Sequence, residues 1–219
     1  MAPEDVERLR QCLAGDGVAI VPTDTVYGLA CNPDSETALR RIYELKGRPP
    51  IKPAGVMFFS LASALDSLPE LGPRTRVALG ALLPGPVTLL IPNIANRFLP
   101  ACDPSGIGAA MLGLRVPVLD GRLATLADVD MPAAQSSANF SGGPDPPRLS
   151  DVPTQLRAGA DLVLDGGELH GTASTVIDLA RYEQDGNWRI LREGPLDAKS
   201  LARTLAKVAA DTLSSESEK

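Results

Sequence analysis

Apolar residues fall on one stripe at Val6, Leu9 and Leu13, the spacing of a helix that starts after Pro3, takes Glu4 and Asp5 into its first turn and stops at Gly15. The next run, "GVAIVP" from Gly17 to Pro22, lacks polar alternation and predicts a fully buried strand. Helical spacing returns at Ala38, Leu39, Ile42 and Leu45, with Asp34 or Ser35 as the cap and Gly47 as the end. Further short runs, "AGVMFFS", "VTLLIP", "GLRVPV", "MPAAQSS", "DLVLD", "STVIDL" and "WRILR", are often β-branched and bounded by Gly, Pro or Asp, and they predict strands. Helical patterns lie between several of them, over residues 61–68, 73–83, 120–129 and 150–158. The runs flanking Asp185-Gly186 predict an antiparallel hairpin, and a last helix capped by Asp197 carries Leu201, Leu205 and Val208 on one side. Strands and helices that alternate in this way predict an α/β protein, and the hairpin makes its twisted sheet mixed, with parallel and antiparallel pairs.

With 44% apolar residues in 219, the chain can bury one sizeable core, so a single domain is expected over residues 1–213. The polar "SSESEK" at 214–219 reads as a disordered tail. A net charge of -6 argues against a protein that coats nucleic acid, since phosphate backbones are held through excess Lys and Arg. Eight scattered aromatic residues make no stacking platform for single strands, although one bound nucleotide remains compatible. Three widely spaced cysteines and one histidine predict neither a disulfide framework nor a zinc site. The acidic opening "MAPEDVERLRQ" is unlike a signal peptide and no apolar run has the length of a membrane span, so a cytoplasmic protein without a membrane partner is expected.

Candidate chemistry begins with "YELKGRPPIKP", which places Lys46, Arg48 and Lys52 within seven residues. Cations held that close repel one another unless water or an anion intervenes. Lys46 alone is accounted for by a helix C-terminus, where a cation gains about 0.3–1 kcal/mol. Arg48 and Lys52 lie beyond Gly47, in chain kept extended by Pro49, Pro50 and Pro53. They read either as a solvated basic loop or as a stiff site for phosphate or carboxylate oxygens. In "SSANFSGGPDPP", Ser137, Asn139 and Ser141 offer short polar groups, and Gly142 and Gly143 would let backbone N–H groups approach a ligand; an Asx or Ser turn explains them equally. Loops at strand carboxyl ends are the usual ligand sites of open α/β sheets. Thr23, Asp24 and Thr25 end the first strand, where Tyr27 and Gly28 would shape a small pocket or simply turn the chain. Arg115, in an apolar strand, needs an anionic partner, either a ligand carboxylate or a structural Asp. Ser174, Thr175 and Arg192 fall at strand boundaries, and His170, in a glycine-flanked loop without a nucleophile, reads as surface. Nothing resembles a P-loop, a GxSxG elbow or a paired-carboxylate hydrolase.

Taken in order, "VPTDTVYGLACNP", "IYELKGRPPIKP", "LLPGPVTLLIP", "GLRVP", "SSANFSG", "LVLDGG", "STVIDL" and "ILREG", from about Val18 to Gly194, resemble the YrdC family. The family's Lys-x-Arg and Ser-x-Asn pair is present as Lys46/Arg48 and Ser137/Asn139. The resemblance implies a twisted mixed sheet with a concave face, in the short form of the family without a second domain. It implies synthesis of L-threonylcarbamoyladenylate from L-threonine, bicarbonate and ATP, with release of pyrophosphate and with Mg²⁺ present. A downstream threonylcarbamoyl transferase complex would then modify tRNA. By the same resemblance Lys46, Arg48, Lys52, Ser137, Asn139, Asp145 and Arg192 surround ATP, with Lys46 and Arg48 catalytic, while Thr25, Arg115 and Ser174 hold threonine.

Departures from the family pattern fall at Met111-Leu112, where a small hydroxyl residue is usual, at Ala54 and Gly55, at Leu83 in place of Trp and at Ala173 in place of Pro. These are expected to reshape the pocket walls. They motivate one alternative, a paralogue forming another carbamoyl- or acyl-adenylate. The basic loop motivates a second, a non-catalytic nucleotide- or RNA-binding module.

Overall fold

The computed structural model describes residues 1–49, 52–106 and 111–216, with side chains up to residue 209. Val6, Leu9 and Leu13 are buried along α1 (Pro3–Ala14), and the uninterrupted apolar run yields β1 (Ala19–Val21). A second strand, β2 (Gly28–Cys31), lies where the sequence left a pocket wall or a turn open and predicted no strand. Its four residues are all buried between β1 and β6, so no alternation marks it. Ser35 Oγ accepts from Ala38 N at 3.1 Å and caps α2 (Glu36–Lys46). Gly47, at φ 59°, closes that helix in the left-handed conformation. Then follow β3 (Gly55–Met57), α3 (Leu61–Ser67), α4 (Pro73–Leu82), β4 (Val87–Pro92), a short α5 (Leu99–Cys102) and β5 (Met111–Arg115).

Two expected helices take other forms. Residues Gly121–Asp128 form a 3₁₀ helix, whose period of three brings Leu123 and Leu126 onto one buried face. Over 150–158 the chain makes a 3₁₀ turn, Leu149–Asp151, and a separate α6 (Thr154–Gly159). Pro153 disfavours helical geometry at Val152, which is extended at φ -67°, ψ 128°. The rest of the chain forms β6 (Ala133–Ser137), β7 (Leu162–Val163), β8 (Thr175–Asp178), α7 (Tyr182–Asp185), β9 (Arg189–Arg192) and α8 (Ala198–Glu216). β8 and β9 pair antiparallel as expected, with α7 and a left-handed Gly186 in the connection. α8 extends over the first three positions assigned to the tail, and 217–219 lie outside the described residues.

The strands form one mixed sheet in the order β7-β1-β2-β6-β3-β5-β4-β8-β9. β1/β7, β3/β5 and β4/β8 run parallel and the remaining neighbours antiparallel. The pleat sorts side chains onto two faces. On one, Val87, Leu89, Ile91, Leu112, Leu114 and Ile177 join a core with Leu39 and Ile42 of α2, Leu79 of α4 and Leu201 and Leu205 of α8. Each such leucine or isoleucine contributes about 1.5–3 kcal/mol by leaving water. On the other face Val21, Ala30, Met57 and Ala133 pack against α1 and the Leu123/Leu126 helix. That second layer covers β7, β1 and β2 and the ends of β6 and β3 at Ala133 and Met57. Further along the same face the alternating positions are Gly55, Thr88, Leu90, Gly113, Gln135 and Val176, and they line a cavity of about 450 Å³.

Candidate active site

The cavity is closed on one side by the segment after α2 and by the loop after β6. The Gly47 turn returns the chain so that Arg48 N donates to Tyr43 O at 2.9 Å. The Arg48 guanidinium then sits over the Tyr43 ring, 5.6 Å from its centroid. Its Nη1 donates to Ser136 Oγ at 3.2 Å and its Nη2 to the carbonyls of Lys52 and Pro53 at 2.7 and 2.9 Å, while Nε is buried without a partner. Arg48 lines the cavity, and burial lowers its pKa.

Lys46 lies beneath the loop after β6 rather than in the cavity. Its ammonium donates to the carbonyl of Ser137, to the carbonyl of Asn139 at 2.8 Å and to Asn139 Oδ1 at 2.9 Å. An ammonium has three N–H groups, so these acceptors use all of them. Lys46 is 3% exposed; burial, and secondarily Arg48, lower its pKa from 10.5 to about 8, against the opposing pull of Asp145. Asn139 is the junction of this loop: Oδ1 also accepts from Ser137 Oγ at 2.8 Å, and Nδ2 donates to Gly143 O at 2.6 Å and to Asp145 Oδ1 at 3.2 Å. The backbone adds Ser141 N to Lys46 O at 3.0 Å. Ser137 and Asp145 line the cavity, with Asn139 holding them from behind.

Across the cavity, Arg115 ends β5 at 4% exposure. The sequence left its partner open between a ligand and an Asp, and the structure supplies Asp24: Nη2 donates to Asp24 Oδ1 and to Thr25 Oγ1, both at 2.5 Å, and to Thr23 Oγ1 at 3.2 Å. Asp24 Oδ2 accepts from Val118 N at 3.1 Å. Burial lowers the Arg115 pKa, Asp24 opposes that, and Arg192 adds to the lowering. Arg192 also lines the cavity. Its Nε and Nη2 donate to Ser174 O at 3.2 and 2.8 Å, and Ser174 Oγ lies 2.8 Å from Thr88 Oγ1. Three guanidiniums therefore reach one cavity whose only carboxylate among the described lining residues is Asp145. Such a space favours a multiply charged anion.

Arg48, Ser137, Asp145, Arg115, Ser174 and Arg192 thus meet in the cavity, from segments far apart in sequence. Lys46, Asn139 and Thr25 sit one layer behind it through the hydrogen bonds above, and the exposed Lys52 contributes a carbonyl to Arg48. Met111, Ala54, Gly55 and Ala173 line the cavity wall as expected, whereas Leu83 is a core residue, 4% exposed. Among the described residues, Tyr27 and Gly28 do not line the arginine-rich cavity. The Tyr27 ring is buried and its hydroxyl bonds Asp165, Gly167 and Gly166 at 2.8–2.9 Å, and Gly28 opens β2. Gln135 and Thr88 were missed, because alternating polar residues in a half-buried strand look like any solvent face. His170 is exposed. Among the described residues no cluster of His, Cys, Asp or Glu could hold a metal, and no helix is long and apolar enough to cross a membrane.

A family model described as "Telomere recombination", covering Sua5, YciO and YrdC proteins, matches residues 11–194. A threonylcarbamoyl-AMP synthase of Pyrococcus abyssi is 30% identical over 188 residues, 85% of this chain and 53% of that protein. The human threonylcarbamoyl-AMP synthase is 33% identical over 86% of this chain and 67% of its own length. Pyrococcus abyssi Sua5 complexed with L-threonine superposes with a TM-score of 0.76 at 27% identity, over 93% of this chain and 58% of that one. The chain therefore spans little more than half the length of the archaeal relative.

Proposed function

Because the chain belongs to the Sua5/YciO/YrdC family, we propose that it makes L-threonylcarbamoyladenylate from L-threonine, bicarbonate and ATP, releasing pyrophosphate. The observation that carries this reading is the single cavity shared by Arg48, Arg115 and Arg192 with the Ser137 turn. The relatives named as synthases and the Sua5 complex with L-threonine support it.

The residues suit this reaction without a general base. Threonine and bicarbonate give a carbamate whose oxygen is already anionic, so the barrier lies in bringing it against the α-phosphorus of another anion and in stabilising charge on the phosphoryl oxygens. Arg48 and Arg192 are the cations placed to do both, and Arg115 is placed to receive the threonine carboxylate. Ser137 contributes a hydroxyl at the same wall, on a loop fixed by Lys46 and Asn139. The carbamate oxygen forms a bond to phosphorus as the bond to the bridging oxygen breaks, and pyrophosphate departs with that electron pair. Mg²⁺ usually takes one or two carboxylates and completes its shell with phosphate oxygens and water. Asp145, the one carboxylate among the described lining residues, would hold the ion, which would supply positive charge to offset that of the phosphates. The product would pass to a threonylcarbamoyl transferase acting on tRNA.

The test is pyrophosphate release from ATP by the purified chain. The reading predicts release only when L-threonine and bicarbonate are both present, and turnover indifferent to either rejects it. Met111, which lines the same cavity as Leu90 and Ala173, gives a specific ground for a different amino acid as acceptor. A preference for another amino acid in the same assay would favour that second reading.

A further inference from the structure

Asp24 does not line the cavity that holds Arg48, Arg115 and Arg192. It lines another, of about 540 Å³, on the side of the β1–β2 turn that also carries Asp120 and Arg122. It reaches the first cavity only through Arg115. The contact is closely built: both side chains are under 10% exposed, at 5% for Arg115 and 8% for Asp24. Asp24 is itself held by Val118 N, and Thr23 beside it accepts from Thr25 N and Val26 N at 3.2 and 3.3 Å and donates to Val26 O at 2.8 Å. The turn therefore has a fixed shape before Arg115 meets it.

Every side-chain hydrogen bond of Arg115 within the described protein leaves from one nitrogen, Nη2. Nε is buried with no partner. A guanidinium can present two parallel N–H groups to a carboxylate, and it does so only if its plane is held. Gripping one nitrogen against a rigid acceptor set holds the plane and leaves the remaining donors unmatched, in a residue that lines the cavity. A buried unmatched donor is destabilising, and a bound carboxylate would relieve it.

We propose that Asp24 is a positioning residue for substrate: it fixes the Arg115 guanidinium so that its free edge receives the carboxylate of the amino-acid substrate. The proposal rests on the functional reading above, and it assigns to Asp24 no contact with substrate. A merely structural Asp24 would stabilise the fold without setting carboxylate recognition. Asn at position 24 keeps the shape and an acceptor for Val118 N but loses the anion that orients Arg115. Glu keeps the anion and displaces it by one methylene.

The experiment is calorimetric titration of L-threonine and L-threoninamide, which lacks the carboxylate, into the wild type, Asp24→Asn and Asp24→Glu in the presence of ATP, with thermal melting of each protein as a check on folding. The wild type should prefer threonine over the amide. In Asp24→Asn threonine binding should weaken by about tenfold or more while amide binding changes less than about twofold, so the preference collapses. Asp24→Glu should also lose preference, since position and not charge alone is at issue; should Asp24→Asn fail to fold, this variant decides. An undiminished preference in a folded Asp24→Asn or in Asp24→Glu would overturn the positioning role and leave the functional reading standing. Failure of the wild type to bind threonine at all would remove the functional reading and the proposal together.

Discussion

Replacing Lys46 by Met separates the loop-holding role of this residue from its contribution to folding. Met preserves helix propensity and most of the apolar stem, and removes only the ammonium. Three acceptors then lose a donor: the carbonyls of Ser137 and Asn139, and Asn139 Oδ1. Oδ1 keeps the Ser137 hydroxyl at 2.8 Å and the Ser137 carbonyl keeps the Asn139 N–H at 2.9 Å, so among the described residues the Asn139 carbonyl is the acceptor left unmatched. Its loss of a partner costs about 1–3 kcal/mol before any relaxation. Against this stands the cost of burying the charge, visible as the fall of the Lys46 pKa from 10.5 to about 8. Two to three units correspond to about 3 kcal/mol that the variant no longer bears. The two effects oppose one another, so unfolding free energy should change by less than about 2 kcal/mol, while the Ser137–Asn139 loop loses its anchor. Adenylate formation should then fall by about a hundredfold or more, because a wall of the cavity is no longer pre-set. Urea unfolding gives the first quantity, and initial rates of pyrophosphate release with hydrogen exchange over residues 137–143 give the second. A Lys46→Met protein with wild-type turnover, or one that simply unfolds, would refute this reasoning.

The same amine predicts a pH dependence. Between about pH 8 and 10.5 the unfolded chain holds the Lys46 proton and the folded chain has lost it, so unfolding free energy from this group rises with pH across that window and is level below it. Urea midpoints should show the rise in the wild type and not in Lys46→Met. Gly47→Ala should cost about 1–2 kcal/mol, read from the urea midpoint, because φ is 59° and no atom lies within 4 Å of the added Cβ, leaving backbone strain as the sole penalty. Arg192→Gln, at an exposed cavity residue, should raise KM for ATP by about tenfold or more with stability changed by under about 0.5 kcal/mol; an unchanged KM would take Arg192 out of the nucleotide site.

Periodicity exposed the helices that bury one face, and bounded apolar runs exposed most strands. The stripes of α1, α2 and α8 were legible because amphipathic spacing records which side meets the core, and the strands from β3 to β9 because short apolar runs are bounded by Gly, Pro or Asp. β2 was not, since its four residues, GLAC, open on a glycine and hold no β-branched or aromatic side chain. The Gly121–Asp128 segment looked like an α-helix because an i, i+3 leucine pair suits both periods. In the site, motif residues were legible but their layering was not. Lys46 and Arg48 are two apart in sequence, yet one holds a loop from behind and the other faces the cavity, a division set by where Gly47 turns the chain. Arg115 could be seen to need an anion, but choosing Asp24 required bringing β5 beside the β1–β2 turn.

The central claim is that one arginine-lined cavity joins threonine, bicarbonate and ATP. Mass spectrometry of the adenylate formed from ATP, L-threonine and ¹³C-bicarbonate tests it most directly, with wild type and Arg48→Gln side by side. The account predicts a threonylcarbamoyladenylate that carries the label in the wild type and is lost in the folded Arg48→Gln protein. Unlabelled adenylate from the wild type, or undiminished labelled product from Arg48→Gln, would contradict it.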